Sequence, residues 1–173
     1  RCAAPGGVVA FGDSITDGYG VKPNTNARWT DVLARRLGGK AAVLNLGIGG
    51  NRVTADGLGP NLLARFDRDV VARSGTKVAI VMEGVNDIGN RFGKRGPGQP
   101  NLPGLDQPEI TVDEIIEGFR QIVQRAHARG IKVIGSPIGP YKGAAYWTEE
   151  GEAVRQRVNQ WILTSGTFDG TVR

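Results

Sequence analysis

The 173-residue chain contains one cysteine and one histidine, and no apolar run longer than a single strand. With Cys2 alone, no disulfide forms within the chain, and cysteine usage does not identify a compartment. No stretch approaches the roughly 20 apolar residues of a membrane-spanning helix, so no membrane span is expected. The 22 Lys and Arg against 17 Asp and Glu give a net charge of +5, but no continuous basic stripe. Scattered arginines of this kind read as a solvated surface, not a nucleic-acid footprint. No cluster of His, Cys, Asp and Glu has metal-ligand spacing, and neither a metal nor an organic cofactor is implied. No internal repeat stands out, and the length fits one domain over residues 1–173 with a real core. The first residue is Arg1, without a charged-then-apolar leader, so residues upstream are expected to have been removed or left out.

What is present is an alternation of short apolar runs and helical patterns. Strands are expected near Val8–Gly12, Ala41–Leu46, Lys77–Glu83 and Ile131–Ile134, and Phe168–Arg173 resembles the start of a fifth. Between them, Trp29, Val32, Leu33 and Leu37 repeat at helical spacing until Gly38-Gly39. Leu58, Leu62, Phe66 and Val70 predict a helix whose other face carries Arg65, Asp67, Arg68 and Asp69. Thr111 and Glu114 form a capping box before the stripe of Val112, Ile115, Ile116, Phe119, Ile122, Val123 and Ala126. A last helix is expected over Glu149–Thr164. The glycine- and proline-dense stretch from Gly89 to Ile110 reads as a loop walling or covering a site. This alternation predicts a parallel sheet with helices on both faces.

Three strand ends carry polar clusters: Ser14 after the first, Gly50-Asn51 after the second, Asn86-Asp87 after the third. Strand order 2-1-3-4 makes those ends neighbours, at the edge where open α/β sheets bind ligands. A hydroxyl, glycine amides and an asparagine amide around one point are the parts for acyl transfer. A serine oxygen attacks a carbonyl, and preorganised N–H donors receive the oxyanion. The remaining polar residues read as structural. Asp13 and Asp17 suit turns, and Asp87 suits a brace for Asn86. Gly47-Ile48-Gly49 hints at a dinucleotide loop, but Arg52 stands where the third glycine belongs. Tyr141, Tyr146 and Trp147 either line a pocket or cover the sheet edge.

These motifs resemble the SGNH (GDSL-type) hydrolase family. Gly12-Asp13-Ser14-Ile15-Thr16-Asp17-Gly18 is similar to its first block, Asn45-Leu46-Gly47-Ile48-Gly49-Gly50-Asn51 to its second, and Gly84-Val85-Asn86-Asp87 to its third. The resemblance implies a flavodoxin-like three-layer α/β/α sandwich, here with a fifth strand and final helix cut short. It implies Ser14 as nucleophile, with an oxyanion hole from the Ser14 and Gly50 N–H groups and the Asn86 side chain. The substrate class implied is a small-molecule ester, of acetyl or another small acyl group. Similar enzymes are often secreted.

The family's last block, D-x-x-H, has no counterpart up to Arg173. His127 lies near the end of a helix leading to the opposite edge of the sheet, and reads as structural. Two expectations follow. A C-terminal fragment of the same polypeptide supplies the histidine and aspartate and covers otherwise exposed apolar surface. Alternatively, the chain is an acyl- or carbohydrate-binding module that keeps the pocket without a general base.

Overall fold

Val8, Val9, Ala10 and Phe11 favour extended backbone and burial on a sheet. In the computed structural model, which describes residues 6–92 and 110–173, they form the central strand β1 (Gly7–Gly12). The other strands are β2 (Ala42–Gly47), β3 (Thr76–Met82), β4 (Lys132–Gly135) and β5 (Gly170–Thr171). All pair in parallel, in the order β2-β1-β3-β4-β5. The helices are α1 (Ser14–Asp17), α2 (Trp29–Leu37), α3 (Leu62–Phe66), α4 (Val85–Phe92), α5 (Val112–His127) and α6 (Glu149–Thr164).

Local signals set several boundaries. The Thr111 hydroxyl accepts from the Glu114 N–H at 3.2 Å, and the Glu114 carboxylate accepts from the Thr111 N–H at 2.6 Å, which opens α5. Thr148 caps α6 in the same manner through the Gly151 N–H. Gly38 ends α2 in the left-handed conformation.

Two expected elements differ. The helix predicted from Leu58 starts at Leu62, because Asn61 takes the cap position and accepts from the Ala64 N–H at 2.8 Å. Leu58 lies outside it and is exposed; a π-turn (Asp67–Val71) continues the helix. The loop expected from Gly89 is helical at its beginning, since α4 runs to Phe92. The remainder of that predicted lid, residues 93–109, lies outside the described residues.

The core fills one face of the sheet. Val9 and Phe11 of β1, Ala79 and Val81 of β3, and Val133 of β4 pack with Phe66, Phe119, Ile122 and Ile162. Phe119, Trp161 and Phe168 close the β4 side as an aromatic trio with centroids 5.8–6.4 Å apart. On the other face, α1 and α2 are tied to β2 by Asn45, whose amide donates to the Thr16 carbonyl and the Thr30 hydroxyl. Further along that face Val78, Ile80, Met82 and Ile134 stay half-exposed. Buried parallel sheets ordinarily have both faces covered.

Candidate active site

The end of β1 is built for close approach. A side chain at Gly12 would strike the Met82 carbonyl and come within 2.6 Å of the Thr16 hydroxyl, so only glycine lets the chain turn here. Asp13 then caps α1, its Oδ1 accepting from the Ile15 N–H at 2.8 Å. Ser14 is the first residue of that turn and is half-buried, next to exposed Ile15.

The loop after β2 is fastened to the same point. The Ile48 N–H donates to the Gly12 carbonyl at 3.0 Å, and the Asn51 N–H turns back to the Ile48 carbonyl at 3.1 Å. Gly50 sits between them with φ 72°, in the left-handed region, and an added Cβ would lie 2.6 Å from Leu58 Cδ1. Any other residue there meets both backbone strain and a clash.

Asn86 occupies the first turn of α4, after β3. Its Nδ2 donates to the Asn51 carbonyl at 2.8 Å, leaving a second amide hydrogen. Asp87 braces the junction as expected, accepting the Val53 N–H at 3.0 and 3.1 Å through its two oxygens. Arg52 Nε lies 3.9 Å from the same carboxylate. Thus Ser14, Gly50 and Asn86 stand on three neighbouring strand ends cross-linked by hydrogen bonds. Among the described residues, neither the Ser14 nor the Gly50 N–H donates to a backbone acceptor.

Two residues at the centre of this network escaped the sequence reading. Arg65, placed on a solvated face by its charge, is 1% exposed. Its Nη2 donates to the Gly12 carbonyl at 2.9 Å and its Nη1 to the Leu46 carbonyl at 2.8 Å. Its Nε donates to Asn51 Oδ1 at 2.9 Å, and Asp69 balances the charge at 3.1 Å. The guanidinium also lies 4.1 Å over the Phe11 ring. Asp69 is buried too, so half of the expected polar face is interior. The available signal was spacing: Arg65 follows Leu62 by three residues and precedes Phe66, within the apolar stripe. The second residue is Glu83, fully buried directly after β3.

Three carboxyls therefore share the interior beneath Ser14. Burial pushes Asp13 up to about 6, against the Ile15 N–H hydrogen bond and the neighbouring Glu83 carboxyl, which favour its charge. Burial pushes Asp87 up to about 7, opposed by the Val53 N–H and Arg52. Glu83 is raised well above its ordinary range by burial and then by the charges of Asp13 and Asp87. No group of three ligating side chains among the described residues is arranged to hold a metal ion.

His127 is not brought to this site. At the end of α5, its Nε2 lies 2.8 Å from Asp169, whose carboxylate also accepts the Val133 N–H at the start of β4. That is the amino-terminal edge of the sheet, opposite Ser14. Tyr146 does approach the candidate site. It packs against Gly89 of α4 and stacks on buried Tyr141 at 5.6 Å, and burial, then the nearby Asp13 and Tyr19, hold its phenol above the usual tyrosine range.

The fold has counterparts among solved structures. The chain is similar in structure to AlinE4, an esterase of the SGNH-hydrolase family, with a TM-score of 0.61 and 18% identity over 94% of this chain and 75% of that one. TesA gives a TM-score of 0.67 and 18% identity over 95% of this chain and 76% of that one. A lipase/acylhydrolase from Enterococcus faecalis gives 0.66 and 20% over 95% and 74%. No curated protein matches the sequence. The sequence pattern of the GDSL-like lipase/acylhydrolase family matches residues 10–172, and the chain belongs to that family.

Proposed function

We propose that the protein hydrolyses carboxylic esters of small acyl groups through an acyl-enzyme, with Ser14 as nucleophile. The Ser14 N–H, the Gly50 N–H and the free amide hydrogen of Asn86 receive the oxyanion. The observation that carries this reading is the cross-linking of the three strand ends: Ile48 N–H to the Gly12 carbonyl, and Asn86 to the Asn51 carbonyl. Fixed amide donors around a partly exposed hydroxyl are what stabilise a tetrahedral oxyanion without reorganisation. Exposed Ile15 beside the serine and exposed Leu58 against Gly50 suit the apolar part of a small ester.

Ser14 needs a proton acceptor to attack and a proton donor to release the alcohol. His127 and its Asp169 partner face the wrong edge. A histidine and an aspartate on a segment beyond Arg173 fill those roles in this reading. The half-exposed Val78, Ile80, Met82 and Ile134 favour such a segment, since apolar sheet faces of this kind are normally covered.

The test is hydrolysis of p-nitrophenyl acetate by the protein and by its Ser14→Ala variant. Loss of turnover by on the order of 10⁶ in the variant is expected. Turnover that does not depend on Ser14 overturns the reading. Specific binding of the ester without any turnover points to an acyl- or carbohydrate-binding module instead.

A further inference from the structure

The ester-hydrolase reading leaves Glu83 without a role. Gly12 of β1 is in register with Met82 of β3, so the residues that follow, Asp13 and Glu83, stand side by side at the carboxyl edge of the sheet. Each is 1% exposed. Asp13 holds the turn that presents Ser14 through the Ile15 N–H. Neither Glu83 oxygen finds a hydrogen-bond partner of good geometry as an ionised acceptor, while the Asp13 carboxyl lies within side-chain hydrogen-bonding reach.

Two carboxylates only accept, so they repel, whereas a single shared proton converts the contact into a strong hydrogen bond. The surroundings decide which partner keeps it. Asp13 already receives the Ile15 N–H, which favours its charge. Glu83 faces the negative charges of both Asp13 and Asp87. The cation on its side is Arg65, already committed to Gly12, Leu46, Asn51 and Asp69, and the Gly84 N–H is its one close backbone donor. Around the partners, Arg52 faces Asp87 and Tyr146 faces Asp13. The proton belongs on Glu83.

We propose that Glu83 is a positioning residue for the Ser14 turn, a neutral carboxylic acid whose O–H donates to the Asp13 carboxylate. The Asp13 carboxylate then has two donors, Ile15 N–H and Glu83 O–H, that fix its rotamer and with it the start of α1. An apolar interior keeps an acid neutral and able to donate in this way. The assignment rests on Ser14 as the reacting group only for its catalytic consequence.

Infrared spectroscopy of the folded protein at neutral pH tests the protonation directly. The carbonyl band of protonated carboxylic acid is expected in the wild type and weaker in Glu83→Gln, the remainder belonging to Asp87, which burial raises to about 7. The glutamine amide can still donate to Asp13, so Glu83→Gln should keep Ser14 labelling by a fluorophosphonate within about threefold, while Glu83→Leu, with no donor, should slow it about 10²-fold. Hydrogen exchange at the Ile15 amide gives a readout independent of reactivity: protected in the wild type and Glu83→Gln, faster in Glu83→Leu. Absence of the band in the wild type, a band of undiminished intensity in Glu83→Gln, or wild-type labelling and Ile15 protection in Glu83→Leu overturns the proposal. If Glu83→Leu does not fold, the infrared difference between wild type and Glu83→Gln still decides it. A wild type with the band and protected Ile15 that never reacts at Ser14 supports Glu83 and overturns the hydrolase reading instead.

Discussion

The Arg65 guanidinium donates to the Gly12 carbonyl at 2.9 Å, across 53 positions of sequence, and so ties α3 to the residue that opens the Ser14 turn. The same group holds the Leu46 carbonyl and the Asn51 side chain, which frame the Gly50 loop. One buried cation thereby sets the spacing between two strand ends. Lysine can keep the charge but not the planar fork that serves these acceptors together. Arg65→Lys is therefore expected to lower esterase turnover while leaving a folded protein. Arg65→Ala removes the donor that serves the Gly12 and Leu46 carbonyls and Asn51 Oδ1, while Asp69 keeps Arg68, and should cost about 1–3 kcal/mol in urea denaturation. Equal turnover in wild type and Arg65→Lys would show that the spacing is set elsewhere.

Asn86 separates a structural role from a chemical one. One amide hydrogen is spent on the Asn51 carbonyl. Losing that bond in Asn86→Ala should cost stability on the order of 1 kcal/mol. Losing an oxyanion donor should cost about 10²–10³ in kcat, with KM nearly unchanged. Steady-state kinetics together with thermal unfolding measure both. A variant that loses stability but not kcat would remove Asn86 from the oxyanion hole.

The strands and most helices were legible because each has a local cause: β-branched runs, the Thr111–Glu114 box, the glycine stops. Ser14, Gly50 and Asn86 were legible as three motifs whose strand ends are neighbours in the order 2-1-3-4, and the sheet has that order. Arg65 and Glu83 were not, since a charged residue is solvated by default. Their burial depends on partners far along the chain, Gly12 and Asp13, which no local pattern announces. The helix start was misplaced for a related reason. Leu58 continues the apolar spacing, but Asn61 supplies a cap that competes with it.

His127 offers the reverse test, a histidine expected to be irrelevant to chemistry. Its contact with Asp169 is partly exposed and links α5 to the segment leading into β5. An exposed pair of this kind contributes up to about 1 kcal/mol. His127→Ala should therefore shift the urea midpoint only slightly and leave kcat and its pH profile unchanged. A loss of turnover comparable to that of Ser14→Ala would mean that this imidazole does reach the reacting centre.

The buried carboxyls also make stability depend on pH in an uncommon direction. In the unfolded chain Glu83 releases its proton above its ordinary value of 4.5, whereas in the folded chain it retains the proton to much higher pH. The folded state then binds more protons than the unfolded state, so stability falls as pH rises through that window. The slope is up to about 1.4 kcal/mol per pH unit for one such group. Asp13, raised to about 6, and Asp87, raised to about 7, act in the same direction from 3.8 up to those values. Glu83→Gln removes one of the three contributions while keeping size and hydrogen-bonding capacity. Its urea midpoint should therefore decline less than that of the wild type between about pH 5 and pH 8. Parallel declines in the two proteins would mean that Glu83 is ionised in the folded state, and that another donor closes the contact with Asp13.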